Sequence, residues 1–282
     1  MNKKIAIIGT VGIPAKYGGF ETLTEYLTKY LHADYDITVF CSVKHYDAKP
    51  SSYNGVHLEY VNFNANGIES IPYDIISIVK SLKFADTILI LGVSGCVVLP
   101  FVKLFSSKKI IVNIDGLEWK RHKWHKYAQR FLRFSEHIAA KYADVIISDN
   151  KVIQEYVELR YGKKSELIAY GADHVRKLSI GENVLTSFPF LVKQYAFAVC
   201  RIEPENNIHM ILKGFENEES LNLVIVGNWD ASTYGVELKK EFSSMIIFIY
   251  LILSMIKIFW IRSEVIARYM CTDTVQEEQI PL

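Results

Sequence analysis

Lys3-Lys4-Ile5-Ala6-Ile7-Ile8-Gly9-Thr10, continuing as Val11-Gly12-Ile13-Pro14-Ala15-Lys16-Tyr17-Gly18-Gly19-Phe20-Glu21-Thr22, opens the chain and decides its fold. The apolar run Ile5 to Ile8 shows no polar alternation, which marks a strand covered on both faces, as in a parallel sheet. A glycine-rich turn follows, and the spacing beyond it places Leu23, Tyr26, Leu27, Tyr30 and Leu31 on one face of a helix. Strand, glycine loop and helix together predict an anion pocket, where bare backbone N–H groups and the positive end of the helix dipole point at a docked group. A tight connection with no ligand is the alternative. Gly9, Gly12, Gly18 and Gly19 do not fall as G-x-G-x-x-G, which weakens a dinucleotide reading.

Working outward, short β-rich runs alternate with helical ones. Strand runs are expected at Tyr35 to Cys41, Val56 to Val61, Thr87 to Gly92, Lys109 to Gly116, Ala143 to Asp149 and Glu166 to Asp173, with helices at Ile71 to Phe84 and Lys126 to Tyr142. The segment Lys44 to Gly55 reads as a polar loop. Such alternation predicts an α/β fold with a doubly wound parallel sheet, whose ligands collect at the carboxyl ends of the strands. Gly12, Gly18, Gly92, Ser94 and Asp115 fall on that edge.

A second alternation begins with a strand at Tyr195 to Cys200, a helix at Ile208 to Glu216 and a strand at Leu223 to Gly227. The expected organisation is a Rossmann-like domain over 1–176, a linker over 177–192, a partial second Rossmann-like domain over 193–244 and a hydrophobic tail over 245–282. Within that tail, 245–261 is interrupted only by Ser254 and Lys257, so it reads as a marginal membrane segment. A buried core helix is a second reading. A third is a change of reading frame near Ser244, because the codons for Met245 onward, taken one nucleotide out of phase, permit the ordinary segment D-N-I-Y-L-L-D-P-I-Y-D. Those for Cys271 to Pro281 likewise permit H-G-H-S-A-G-G-T-N-P.

The chain has 282 residues, 50% hydrophobic and 22% charged, an ordinary composition for one or two domains with full cores. Its formal net charge of +1 gives no global pull toward nucleic acid, so none is expected as a partner. Cys41, Cys96, Cys200 and Cys271 are scattered without a C-x-x-C pair, which argues against a zinc site or a disulfide framework and for a reducing compartment. No H-E-x-x-H spacing appears, so no catalytic metal is expected, and no G-x-S-x-G elbow is present. The N-terminus lacks the pattern of a signal peptide, so a cytoplasmic location is expected.

Three further clusters could carry chemistry. Asp115 ends a buried strand before Gly116, and Glu118 lies three residues on, so the pair could bind hydroxyls or deprotonate one. Equally, Asp115 could cap a turn while Glu118 pairs with Lys120 or Arg121. Trp119-Lys120-Arg121-His122-Lys123-Trp124-His125-Lys126 interleaves basic and aromatic residues, which suits a bilayer headgroup region or a lipid-linked pyrophosphate, or else forms a solvated helix start. Arg201-Ile202-Glu203-Pro204-Glu205 follows a strand, and Arg201 either meets an anion or pairs with a neighbouring glutamate.

The run G-T-x-G-I-P-A-x-Y-G-G-F-E-T, with Asp115-Gly116-Leu117-Glu118-Trp119-Lys120-Arg121, resembles the bacterial rhamnosyltransferases of capsule and cell-wall polysaccharide synthesis, within the retaining family 4 glycosyltransferases. The resemblance covers about residues 3 to 244. It implies two Rossmann-like domains of GT-B type, the second incomplete, and transfer of rhamnose from dTDP-rhamnose or another nucleotide sugar to a lipid-linked saccharide. The expected place is the inner face of the cytoplasmic membrane, with no cofactor or metal. It implies catalytic or acceptor-orienting roles for Asp115 and Glu118. Gly12, Tyr17, Gly18, Gly19, Trp119, Lys120 and Arg121 would bind acceptor, and Arg201, Gly227 and Asn228 would bind donor. The lysine that commonly follows the donor arginine is replaced by Glu205 or Asn206, and the paired glutamates of the family would fall beyond Leu282, so little turnover is expected. The glycine-rich shifted-frame stretch resembles the family's donor loop. A non-catalytic, membrane-attached saccharide-binding remnant and a nucleotide-dependent oxidoreductase or epimerase remain as alternatives.

Overall fold

The computed structural model describes residues 2–16, 18–114, 116–121, 124–171, 182–218 and 221–243. Tyr17, Asp115, the 245–282 tail and part of the expected linker lie outside them. The chain divides into two compact units, 1–170 and 171–282.

In the first unit the elements run β1 (Lys4–Ile8), α1 (Gly19–Leu31), β2 (Asp36–Ser42), β3 (Ser52–Tyr53), β4 (Val56–Val61), α2 (Ser70–Ser81), β5 (Thr87–Leu91), α3 (Leu99–Phe105), β6 (Lys109–Ile114), α4 (Lys126–Tyr142), β7 (Val145–Ser148), α5 (Lys151–Tyr161) and β8 (Glu166–Leu167). The strands form one sheet in the order β3-β4-β2-β1-β5-β6-β7-β8, parallel throughout except for β3 against β4. Both outer strands have two residues. The segment expected to be a polar loop thus supplies β3, and the strand expected from Glu166 to Asp173 is confined to two residues.

Covering both faces is what the apolar run of β1 requires. Ala6 and Ile8 face a core shared with Ile88, Ile90, Ile110, Val112 and Tyr73, whereas Ile7 faces a second core with Ile37, Val39, Cys41 and Leu58. Each fully buried aliphatic side chain contributes about 1.5–3 kcal/mol. Helix α5 starts at Asn150, whose side chain accepts from Ile153 N–H at 2.9 Å, and stops at Gly162 in the left-handed region.

Helix α1 departs from its expected face. Its buried residues are Glu21, Thr24 and Thr28, while Leu23, Tyr26, Leu27 and Leu31 are half-buried and Tyr30 is exposed. Of this buried stripe at i, i+3 and i+7, Glu21 serves the glycine loop as a hydrogen-bond partner, whereas the Thr28 hydroxyl donates to the Glu25 carbonyl of its own helix.

The second unit contains α6 (Glu182–Ser187), β9 (Tyr195–Val199), α7 (Ile208–Gly214), β10 (Asn222–Val226) and α8 (Thr233–Glu241). The short α6 falls inside the segment expected as linker. Strands β9 and β10 pair in parallel from Tyr195↔Asn222 to Val199↔Val226. Their core gathers Ala196, Ile202, Ile208, Leu212, Ile225, Leu238 and the fully buried Trp229. The Ser232 hydroxyl caps α8 by accepting from Gly235 N–H at 3.1 Å.

Candidate functional site

Chain connections reverse direction between β1 and β5, which lie side by side in the sheet with β2 on one flank and β6 on the other. Ligands of open α/β sheets bind outside the carboxyl ends of the strands at such a reversal. Each of the two strands ends in a glycine in the left-handed region, Gly9 with φ 89° and Gly92 with φ 90°. Gly9 has a second constraint: a Cβ there would lie 2.0 Å from the Leu91 carbonyl oxygen, so only glycine lets the β1 loop cross β5 at this distance.

The glycine loop is held from below by carboxylates. Glu21 accepts from Val11 N–H at 2.8 Å and from the Thr10 hydroxyl at 3.1 Å. Glu25 accepts from Ala15 N–H and, through its other oxygen, from the Tyr53 hydroxyl at 3.0 Å. Thr10 Oγ1 accepts from Gly12 N–H, the Thr10 carbonyl accepts from the Tyr73 hydroxyl at 2.9 Å, and the Pro14 carbonyl accepts from the Tyr46 hydroxyl at 3.1 Å. These bonds narrow the anion-pocket expectation to the donors that remain at the start of α1. The Val11, Gly12 and Ala15 donors are already engaged, and two glutamates beside them oppose a phosphate.

Gly18 and Gly12 are shaped by their neighbours. A Cβ on Gly18, at φ 137°, would lie 1.7 Å from Glu21 Oε2, and one on Gly12 would lie 2.6 Å from Cys41 Sγ. Gly19 differs, with open space where its Cβ would be. Around the neighbouring loop, Asp74 on α2 packs under Gly95 and is fully buried; burial pushes its carboxyl well above the ordinary range, partly offset by the Gly95 N–H. Asp74 Oδ1 and Asn113 Oδ1 are buried without a hydrogen-bond partner, although Asn113 Nδ2 donates to the Tyr170 hydroxyl at 3.0 Å. Asn113 sits beside the crevice, since its carbonyl accepts from Gly92 N–H at 3.0 Å. Nothing in the local sequence marks Asp74 or Asn113, because each meets a loop some twenty residues away along the chain, at Gly95 and Gly92, whereas Glu21 lies within the glycine stretch itself.

After β6, Glu118 accepts from the Trp124 indole N–H at 3.0 Å and pairs with Arg121 at 3.2 Å. Of the two roles open to Glu118 in the sequence, the Arg121 pairing is present. Trp119 lies between cations, with Arg133 at 5.0 Å and Lys120 Nζ at 5.7 Å from its ring. Below it, Glu136 on α4 is fully buried and accepts from the Tyr156 hydroxyl at 2.7 Å and the Tyr161 hydroxyl at 2.5 Å. Burial raises the Glu136 pKa against the pull of those hydroxyls and the Trp119 indole. The buried stem of α4 thereby supports the loop that carries Trp119, Lys120 and Arg121.

In the second unit the strand ends bring together Arg201, Gly227 and Asn228, since Cys200 N–H donates to the Val226 carbonyl at 3.1 Å. Arg201 is half-exposed and lies 3.9 Å from Glu203, a long ion pair that leaves the guanidinium at the rim. A Cβ on Gly227 would meet the Cys200 carbonyl at 2.5 Å. Among the described residues no His, Cys, Asp and Glu group of metal-binding size occurs, and no helix is long and apolar enough to cross a membrane.

Solved structures share this architecture at low identity. Anabaena Alr3699/HepE in complex with UDP-glucose matches with TM-score 0.66 and 13% identity, over 90% of this chain and 71% of that one. The S. aureus MnaA–UDP co-structure matches at 0.54 and 14%, over 88% and 68%. The E. coli trehalose-6-phosphate protein bound with UDP-2-fluoro glucose matches at 0.57 and 11%, over 91% and 76%. The likeness establishes the α/β, GT-B-type fold class expected from the sequence. No curated protein matches by sequence. Residues 2–173, well over half the chain, match the family described as domain of unknown function DUF1972, and the chain belongs to that family.

Proposed function

We propose that this chain is a glycosyltransferase that takes a nucleotide sugar as donor. The observation that carries the reading is the reversal between β1 and β5, with a glycine in the left-handed region ending each strand, in a fold that UDP-sugar-bound structures share. The first unit would receive the acceptor. Its loop donors are engaged by Glu21 and Glu25, so the crevice suits a hydroxyl-rich saccharide better than a bare phosphate. The second unit would hold the donor, with Arg201 at the diphosphate and the Gly227–Asn228 turn approaching the nucleotide.

The finer reading is transfer of rhamnose from dTDP-rhamnose, with retention and without a metal, to a lipid-linked saccharide in capsular or cell-wall polysaccharide synthesis. It rests on the resemblance of the glycine loop and of the Asp115 to Arg121 segment. Asp115 and Glu118 would orient or deprotonate the acceptor, Glu118 after leaving Arg121.

Binding tests the class. Saturation-transfer NMR of the purified chain with dTDP-rhamnose, UDP-glucose and NAD is expected to show contact with a nucleotide sugar and none with NAD. Contact with NAD alone would overturn the reading in favour of an oxidoreductase. A second reading, epimerisation of the sugar nucleotide, is favoured by the likeness to UDP-GlcNAc 2-epimerase from Neisseria meningitidis bound to UDP-GlcNAc, at TM-score 0.53 and 12% identity, over 88% of this chain and 72% of that one. It predicts a new sugar nucleotide by chromatography without any acceptor.

A further inference from the structure

Helices α3 and α4 pack against one another on the first unit, and their outer faces combine two properties that globular surfaces rarely combine. The first is large exposed apolar area: Phe101, Leu104 and Phe105 on α3 are 66%, 73% and 80% exposed, and Tyr127 and Phe134 on α4 are 84% and 54% exposed. Five such side chains on two neighbouring helices exceed the scattered single residues of an ordinary surface.

The second is one-signed charge. Segments 99–109 and 126–142 together hold seven Lys and Arg residues (Lys103, Lys108, Lys109, Lys126, Arg130, Arg133, Lys141) and one acidic residue, Glu136. Glu136 is fully buried and contributes nothing to the outer face. The nearby Asp144 pairs with Lys103 and accepts from Ile110 N–H, so these two charges cancel and the other six cations set the sign of the face. A chain of net charge +1 therefore carries a locally cationic face studded with rings.

We infer that the α3–α4 face is a docking surface for an anionic lipid bilayer. Charge complementarity selects this occupant. Rings and leucine enter the region between headgroups and acyl chains, while lysine and arginine stems extend along it to anionic headgroups. Neither helix needs to span the bilayer, and α3, with seven residues, could not. Because α4 begins directly after the loop carrying Trp119, Lys120 and Arg121, docking through it would hold that loop at headgroup level, where a lipid-linked acceptor is presented.

The test is co-sedimentation of the full chain with neutral phosphatidylcholine vesicles and with vesicles containing phosphatidylglycerol, without any sugar present. The variants are Phe101→Ser/Leu104→Ser/Phe105→Ser and Lys109→Glu/Lys126→Glu/Arg130→Glu. All six sites are exposed, and unchanged circular dichroism checks that both variants fold. The parent chain is expected to bind phosphatidylglycerol vesicles, more weakly as salt rises. The apolar variant should lose at least roughly tenfold in partitioning. The charge variant should lose at least roughly fivefold per reversed charge on anionic vesicles and nothing on neutral ones. The 245–261 segment is present in every protein compared, so its own affinity cancels. Equal binding by parent and variants, or no binding by the parent, overturns the proposal. A self-association seen by sedimentation velocity and lost in the apolar variant, without a change in vesicle binding, also overturns it and assigns the face to a second copy. Because no sugar enters the experiment, its failure leaves the transferase reading standing, and failure of nucleotide-sugar binding leaves this one standing.

Discussion

Glu21 holds Val11: one carboxylate on α1 accepts the Val11 backbone N–H at 2.8 Å and the Thr10 hydroxyl at 3.1 Å, and so fixes the first turn of the glycine loop to the helix that follows it. The same carboxylate explains Gly18, where any side chain would strike Glu21 Oε2. Loop and helix therefore fold as one piece.

Replacing Glu21 with alanine should destabilise the first unit by about 2–4 kcal/mol, since two bonds to a buried carboxylate are lost and their donors stay buried. Urea unfolding followed by far-ultraviolet circular dichroism would measure it. A loss below about 0.5 kcal/mol would mean that the loop does not depend on Glu21.

Gly9→Ala and Gly19→Ala should differ sharply. The first places a methyl group 2.0 Å from a backbone oxygen at φ 89° and should cost more than about 3 kcal/mol, whereas the second meets open space and should stay within about 0.5 kcal/mol. If Gly19 contacts acceptor, Gly19→Ala will weaken saccharide binding in an NMR titration while its unfolding curve is unchanged. Unchanged binding would remove Gly19 from the acceptor site.

Asp74 should make the first unit less stable as pH rises. Its native pKa lies well above the unfolded value, so its contribution is fully present below the unfolded pKa of about 3.9 and is lost as pH climbs through the raised native pKa. Asp74→Asn removes that loss, so the variant should gain on the parent as pH increases. Parallel stability curves for the two proteins from pH 4 to 8 would rule this out.

The strands were legible in the sequence because covering both faces leaves apolar runs at the centres of β1, β5 and β6, and α4 was legible from its ends. Asp74 and Asn113 were not, since a buried polar residue is recognised only by the loop it meets, and Glu21 was not, since the sequence of α1 suggests an apolar face where a polar one is buried. Helix α3 is short and carries its phenylalanines outward, so periodicity gave no warning of it. The sequence leaves two readings open for Glu118; the structure pairs it with Arg121, and the Trp124 indole donates to the same carboxylate.

The codon argument at Ser244 carries its own prediction. Sequencing the coding DNA beyond that codon should show a shifted frame running through D-N-I-Y-L-L-D-P-I-Y-D and a glycine-rich loop. Restoring that frame should then produce sugar transfer. Stop codons in both alternative frames would end the idea and make 245–261 a segment in its own right.

The two-residue strands at both margins of the large sheet limit how this unit can stick to copies of itself. A strand arriving from another molecule finds a backbone ladder only two residues long at either side, and the antiparallel β3 reverses the direction that a parallel newcomer would need. Among the described residues of this unit, sheet extension by a strand from another copy is therefore disfavoured at both margins.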